Sequence, residues 1–356
     1  MQPLRYVVLG AGGIANHHVE SLKPLPAVQP VGFQDIVEPT LQKWKERFAD
    51  AEIDTDPARL LARTRPDLVC VCSSNVAHEA LARAAFQAGC HVMCEKPMAM
   101  NVAEALAMDE QRSKAGKLGA INFSYRCVPA FRFAREMIRA GELGTLQRLN
   151  VVYLQSFLGA EASQFSWRND IAIAGFGALG DLGVHMIDGA GFVSGLVPRR
   201  AVGLAQTMVA QKKDAQGKPH PVTTDTNASF LIEYDNGAIG TFETSQVVPG
   251  YGNHFRIEIS GDRGILSICS EDGGAMTLYA GTTLSKYGTW TPRSRFPQVA
   301  VPSSFNESQP KSNLESFVRA IRGEDIEYPS FADGLRAQKV LGAIVDSMKS
   351  NAWVKT

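Results

Sequence analysis

The sequence predicts an α/β protein of two parts: a parallel sheet wound by helices, then an α+β domain with a mostly antiparallel sheet. Three observations carry this. Short apolar runs alternate with helical patterns as far as Tyr125, which is the rhythm of βαβ units. Gly10, Gly12 and Gly13 follow directly on the first apolar run. From Leu146 onward the β-type runs lengthen and alternate polar with apolar residues, while helical patterns thin out.

In the first part the strand candidates are RYVVLG, QPVGFQD, DLVCVCS, HVMCEK and LGAINFSY. Their few polar alternations suit strands covered by helices on both faces. Helices are expected over 13–22, 40–48, 57–64, 77–88 and 102–115. The first stops at Lys23-Pro24, and Gly89 and Gly116 can take the left-handed cap conformation after the last two. In the second part Asp235-Asn236-Gly237 predicts a hairpin tip, and Gly261-Asp262-Arg263-Gly264 a second. GAMTLYA adds a strand, 211–222 reads as an exposed loop rich in Lys, Gly and Pro, and helices return at 312–322 and 333–350. The expected domains are 1–125 and 126–356, with the C-terminal helices packing back on the first.

Composition narrows the class. With 356 residues the chain is long enough for two cores. Lys+Arg and Asp+Glu both number 36, so the net charge is zero and neither nucleic acid nor a polybasic membrane contact is expected. No run approaches the roughly 18 apolar residues of a membrane span. The first apolar run turns straight into glycines rather than forming a leader, so a cytoplasmic location is expected. The six cysteines include no C-x2-C pair, which reads as small buried hydrophobes, with no metal site and no disulfides.

The glycine run is where chemistry first enters. Gly10-x-Gly12-x-x-Ala15, placed between a strand and a helix, matches the Rossmann fingerprint that seats a pyrophosphate on helix N-terminal amides. Gly10, Gly12, Gly13 and Ile14 are the expected cradle. Asp35 closes the second strand, 20 positions after Ala15, where a carboxylate accepts the adenosine ribose hydroxyls. It would repel a 2′-phosphate, and Ile36 and Val37 follow rather than arginine, so NAD is favoured over NADP. The competing reading is that Asp35 only starts a turn.

Two further stretches carry candidate groups. Glu95-Lys96-Pro97 ends the HVMCEK strand, and ligands collect at the carboxyl ends of such strands. A lysine there can polarise a substrate oxygen; the alternative is a surface Lys–Glu pair. In GFGALGDLGVHMIDGAG, Asp181 and His185 share a face at i,i+4 if the stretch is helical, and His185 and Asp188 are neighbours at i,i+3. A histidine held by a carboxylate is an acid/base arrangement; the alternatives are a helix-surface ion pair or a metal site, for which a third ligand is not evident.

Together these stretches resemble the Gfo/Idh/MocA family of glucose–fructose oxidoreductase and inositol dehydrogenase. The likeness spans nearly the whole chain: G-x-G-x-x-A, Asn75-x-x-His78, Glu95-Lys96-Pro97, NFSYRCVPAF, GELGTL and D-x-G-x-H-x-x-D at 181–188. The resemblance implies a Rossmann domain followed by an open-faced substrate domain, assembled as homodimers or homotetramers through its sheet. It implies cofactor contacts from Ser73, Asn75, His78, Glu95 and Lys96, with Lys96 as the active-site lysine and Asp181 with His185 as the catalytic pair. Trp167 and Arg168 would lie near the substrate, with Tyr125, Arg126 and GYGNH as further candidates. The implied reaction is hydride transfer between nicotinamide and a secondary alcohol of a sugar or cyclitol.

The chain departs from the family pattern at Gly175-Phe176-Gly177, where consecutive glycines are frequent. Phe176 is expected to pack against the sheet rather than narrow the pocket. His17 and His18 read as packing or solvent-facing. Two other functions share the motifs: a glycosidase of this fold that retains NAD, and a nucleotide sensor without turnover. The sensor has no chemical need for Lys96, Asp181 and His185 together.

Overall fold

A computed structural model describes residues 3–159, 163–270, 277–282 (backbone only) and 298–356. The chain divides into two compact units, Met1–Ser124 with Pro310–Gln338 and Tyr125–Gln309 with Lys339–Thr356. The simple cut at 125 is therefore replaced by a first unit that takes in a C-terminal segment.

In the first unit, β1 (Leu4–Leu9), β2 (Val28–Gln34), β3 (Glu52–Asp54), β4 (Leu68–Val71), β5 (His91–Cys94) and β6 (Gly119–Ile121) alternate with α1 (Ala15–Leu22), α2 (Glu38–Arg47), α3 (Pro57–Thr64), α4 (His78–Gln87) and α5 (Val102–Ala115). The sheet is parallel, in the order β3-β2-β1-β4-β5-β6. The order reverses between β1 and β4, so a crevice opens beyond their carboxyl ends, and the glycine turn lies there. Local chemistry sets the helix ends. Asp56 accepts the Ala58 and Arg59 amides at the start of α3, and Asn101 accepts the Glu104 amide at the start of α5. Gly89 (φ 79°) and Gly116 (φ 63°) take the expected left-handed conformation. Only β3 was missed, being three residues long.

The core of this unit runs from Leu4, Tyr6 and Val8 of β1 to Phe33 and Trp44, whose rings stack at 4.6 Å. A further helix, α10 (Asn313–Ile321), sends Leu314, Phe317 and Val318 into the same cluster.

The second unit is built on β7 (Leu146–Leu154), β8 (Pro198–Gln206), β11 (Asn227–Tyr234), β12 (Ile239–Ser245), β13 (His254–Gly261), β14 (Gly264–Cys269), β15 (Thr277–Thr282), β16 (Gln298–Val299) and β17 (Val354–Lys355). They form one sheet in the order β16-β15-β14-β13-β7-β12-β11-β8-β17, antiparallel except where β7 meets β12. Both predicted hairpins form, joining β11 to β12 and β13 to β14. The first three residues of GAMTLYA lie outside the described residues, and the rest begins β15. The expected loop at 211–222 is corrected: β9 (Gln211–Lys213) and β10 (Pro219–Pro221) pair as a hairpin. The Asp214 carboxylate organises its turn by accepting the Gln216 and Lys218 amides.

Helices α6 (Pro129–Arg139) and α8 (Val184–Ser194) cover one face of this sheet. Helix α6, not anticipated, begins at Pro129 and buries Ala130, Phe131, Ala134 and Met137 along one stripe. The short α7 (Ile171–Ala174) precedes α8, α9 (Ser303–Ser308) follows β16, and α11 (Phe331–Ser350) is shared by the two units. The stretch Ile171–Ser194 is apolar enough for a membrane span, yet it is mostly buried within this unit, as the core helix of a folded domain is. The opposite sheet face carries exposed Leu204 and Ile239.

Candidate active site

Three side groups hold the glycine turn. The carbonyl of Gln34 accepts both the Gly10 and Ala11 amides at 2.9 Å, and its side-chain oxygen stands 3.2 Å from the Gly10 amide. The Trp44 indole donates to the Ala11 carbonyl at 2.7 Å. Gly10 sits at φ 82°, and a Cβ there would lie 2.5 Å from the Ser73 backbone, so only glycine fits. Gly12 and Gly13 differ: a Cβ on either meets nothing within 4 Å. Open space therefore lies over the turn, and α1, entered through Ile14, has no side-chain cap. An anion such as a pyrophosphate fits both features. Asp35, at the end of β2, receives the Val37 amide on Oδ1 at 2.9 Å. The turn reading of Asp35 is thus realised, and Oδ2 remains for a ribose.

At the end of β5, Lys96 is half-buried and joined to Pro97 by a cis peptide bond. The surface-pair reading of its neighbour fails. Glu95 is buried, takes His18 Nε2 at 2.6 Å and Asn122 Nδ2 at 2.7 Å on Oε1, and offers Oε2 to the Lys96 amide at 3.4 Å. Burial alone would raise the Glu95 pKa; the His18 hydrogen bond and charge, with the Asn122 bond, bring it down to about 2. His78 is fully buried between the Pro97 carbonyl (3.0 Å) and the Ser73 carbonyl (3.2 Å), and burial lowers its pKa. Both side chains thus hydrogen-bond within the fold, Glu95 to His18 and Asn122 and His78 to two carbonyls. Ser73 and Asn75 lie on the loop after β4, Ser73 half-exposed and Asn75 buried.

In the second unit the expected α-helix through Asp181 and His185 is interrupted. Leu179–Gly183 forms a π turn that leads into α8. Its start is gripped by Asp225, whose Oδ1 and Oδ2 accept the Gly177 and Leu179 amides, each at 2.7 Å. Gly177 is required there, since a Cβ would overlap the Asp225 carbonyl. Phe176 is buried, and its side chain lies against Gly180 of the π turn. Such turns re-aim the side chains beside them. Asp181 is half-buried and receives Gln246 Nε2 on Oδ2 at 2.8 Å.

His185 is buried, with the Tyr125 ring edge-on at 5.0 Å and the Tyr153 ring at 6.5 Å. The Tyr153 hydroxyl donates to Asn253 Oδ1 at 2.9 Å, so in the 2.6 Å contact between the two phenols Tyr125 is the donor. Gln155 Nε2 donates to the same Asn253 oxygen at 2.6 Å. Burial, reinforced by Tyr125, pushes the Tyr153 phenol far up, so it stays protonated. Asp188 is buried beside His185 on α8. It takes Arg126 Nε at 2.9 Å and Nη2 on its two oxygens, both side chains being buried. Trp167 is half-buried, with the exposed Arg168 guanidinium stacked 4.5 Å over its ring. The six cysteines form no disulfide, and no metal-binding cluster occurs among the described residues.

A parallel sheet in this strand order with an open glycine turn, followed by a sheet domain presenting a histidine and a carboxylate, defines a dinucleotide-binding oxidoreductase. Residues 4–123 match the model of the oxidoreductase family with an NAD-binding Rossmann fold, and residues 131–267 match the GFO/IDH/MocA C-terminal domain; the chain belongs to this family. It is 29% identical to levoglucosan dehydrogenase of Pseudarthrobacter phenanthrenivorans over 81% of this chain and 80% of that one. Against D-glucoside 3-dehydrogenase of Escherichia coli it is 27% identical over 99% and 97%. A levoglucosan dehydrogenase structure in complex with NADH and levoglucosan superposes with a TM-score of 0.86 at 26% identity, covering 99% of each chain. The protein is an NAD-binding oxidoreductase of the sugar-dehydrogenase type.

Proposed function

We propose that the protein oxidises a ring secondary alcohol of a sugar, a pyranoside first of all, using Lys96, Asp181 and His185. The observation that carries this is the packing of His185: a buried imidazole against two phenol rings, one turn from a carboxylate that Gln246 holds in place. Names among the relatives, levoglucosan dehydrogenase and D-glucoside 3-dehydrogenase, support a pyranoside over a cyclitol.

Bound NAD supplies the hydride acceptor. His185 accepts the hydroxyl proton, because loss of hydride from carbon requires the oxygen to shed its proton. The Lys96 ammonium donates to the same oxygen and favours its developing negative charge. Asp181 orients the imidazole and favours its protonated form. Trp167 and Arg168 offer a flat face and hydrogen-bond donors to the remaining hydroxyls. Asp35, with one oxygen committed to Val37, presents the other to the adenosine ribose and disfavours a 2′-phosphate. The sheet face bearing Leu204 joins copies of the chain into a dimer or tetramer.

The test is NADH absorbance with NAD, in parallel with NADP, over levoglucosan, methyl glucosides, free sugars and inositols. Turnover with a pyranoside that is lost in Lys96→Ala and His185→Ala supports the reading. Near-normal turnover in both variants overturns the residue roles, and turnover confined to inositols overturns the substrate class.

A further inference from the structure

His18 has no part in the chemistry above, yet it is one of the most deeply enclosed polar side chains of the first unit. It is 0% exposed and lies on α1, one turn beyond the glycine turn. Its Nε2 meets Glu95 Oε1 at 2.6 Å. Asn122, just past β6, adds a second donor to the same oxygen and is itself held by Asn313 of α10 at 3.3 Å. The remaining oxygen of Glu95 faces the amide of Lys96. Two side chains from distant segments, His18 and Asn122, thus converge on one carboxylate, and that carboxylate is adjacent in the chain to the lysine. A buried charge of this kind persists only when paired and hydrogen-bonded.

We infer that His18 is a positioning residue: through Glu95 it fixes the strand end that carries Lys96 to the helix that follows the glycine turn. The inference rests on the proposed role of Lys96. The sequence reading of His18 as a packing residue sees only half of this, since packing alone would not need an imidazole aimed at a carboxylate. Burial opposes charge on the ring, while the neighbouring Cys72 and Cys70, and after them Glu95, lift its pKa well above the ordinary value.

The experiment compares His18→Phe, which keeps a ring without a donor, with His18→Gln, whose amide nitrogen reaches the position of Nε2. Glu95→Gln is included as a near-isosteric variant that keeps an acceptor for His18 but removes the one facing Lys96. Three quantities are read: kcat and KM with a pyranoside and NAD; NAD affinity by calorimetry; and the rate at which an amine-acylating reagent modifies Lys96 in NAD-free protein, by mass spectrometry with Lys349 as internal reference. Misplacing a reacting group by ~1 Å can cost about a hundredfold. In His18→Phe and Glu95→Gln, kcat is expected to fall at least about tenfold, with sugar KM and NAD affinity changing less than about threefold. Lys96 is expected to be acylated several times faster, with Lys349 unchanged. His18→Gln is expected to recover most of the turnover and the slow acylation.

If His18→Phe does not fold, Glu95→Gln decides the question. Wild-type acylation and kcat in a folded His18→Phe or Glu95→Gln overturn the inference, as does a His18→Gln no better than His18→Phe. Lys96→Ala runs beside them. If it retains turnover, the catalytic role of Lys96 fails, while the acylation rates still decide whether His18 holds the lysine in place.

Discussion

The side-chain nitrogen of Gln246 lies 2.8 Å from Oδ2 of Asp181, although the two residues are separated by 65 positions and belong to different elements. Gln246 follows the last residue of β12 and is only 1% exposed. It therefore fixes the carboxylate without meeting solvent. A hydrogen bond to a charged group contributes about 1.5–3 kcal/mol. Gln246→Leu is expected to lower kcat/KM by about ten- to a hundredfold, and Gln246→Glu to lower it further at neutral pH by setting two carboxylates side by side. Steady-state kinetics beside a melting curve check this. Unchanged kcat/KM in a folded Gln246→Leu would remove Asp181 from the mechanism.

The glycine turn separates two effects usually lost in one motif. At Gly10 the backbone is left-handed and Ser73 stands against it. Gly10→Ala should cost about 2–4 kcal/mol of stability from strain and overpacking together. At Gly12 an added methyl meets only open space, so Gly12→Ala should fold as well as the native chain. If that space receives the pyrophosphate, Gly12→Ala should still weaken NAD binding at least about tenfold. Thermal unfolding and calorimetry with NAD read the two outcomes; tight NAD binding by Gly12→Ala would mean that the phosphate sits elsewhere.

How much of this was readable from the chain follows from distance. The Rossmann half was legible because its signals are local: glycines after a strand, an acid at the end of the next, caps at Gly89 and Gly116. Lys96, Asp181 and His185 stood out as residue types at a spacing. What supports them was not. Gln246, Asp225, Tyr153 and Asn253 reach the helix only through strand register, and an isolated Gln or Asn in a β run has no mark of its own. The burial of Glu95 was hidden for the same reason, since its partner His18 is 77 residues away. The π turn also escaped: the expectation assumed α-helical spacing, whereas a carboxylate from beyond β8 grips the amides that begin it.

The Glu95–His18 pair makes stability depend on pH in a window set by both groups. Glu95 falls from 4.5 to about 2 on folding, so its contribution is complete above pH 4.5 and is lost as pH drops through 2. His18 is raised above 6.5, so its contribution is complete below pH 6.5 and is lost as pH climbs through the folded value. The pair therefore stabilises most between pH 4.5 and 6.5. Breaking a buried pair by removing one partner costs about 3–5 kcal/mol. The gap in melting temperature between native chain and Glu95→Gln is expected to be widest in that window and to close below it. A gap that stays constant from pH 3 to 8 would mean that Glu95 and His18 do not form an ion pair in the fold.

The exposed face of the large sheet sets a last expectation. Strand alternation puts Val202 and Leu204 of β8 on the same side as Ser229 and Leu231 of β11 and Thr241 and Glu243 of β12, and these residues line a depression of about 540 Å³. Leu204 is 71% exposed and Leu231 37%, unusual for leucines in the middle of paired strands. Apolar side chains gathered on a flat face mark a contact surface more often than an accident of folding. A two-fold contact through this face would bring each leucine of one copy close to the equivalent patch of the other, so Leu204→Glu with Leu231→Glu would set four like charges into one apolar contact. Light scattering on the native protein is expected to give a dimer or tetramer, and the double variant a smaller particle with its melting curve largely kept. A native monomer, or an assembly indifferent to both glutamates, would leave this face to solvent and move the subunit contact elsewhere on the protein.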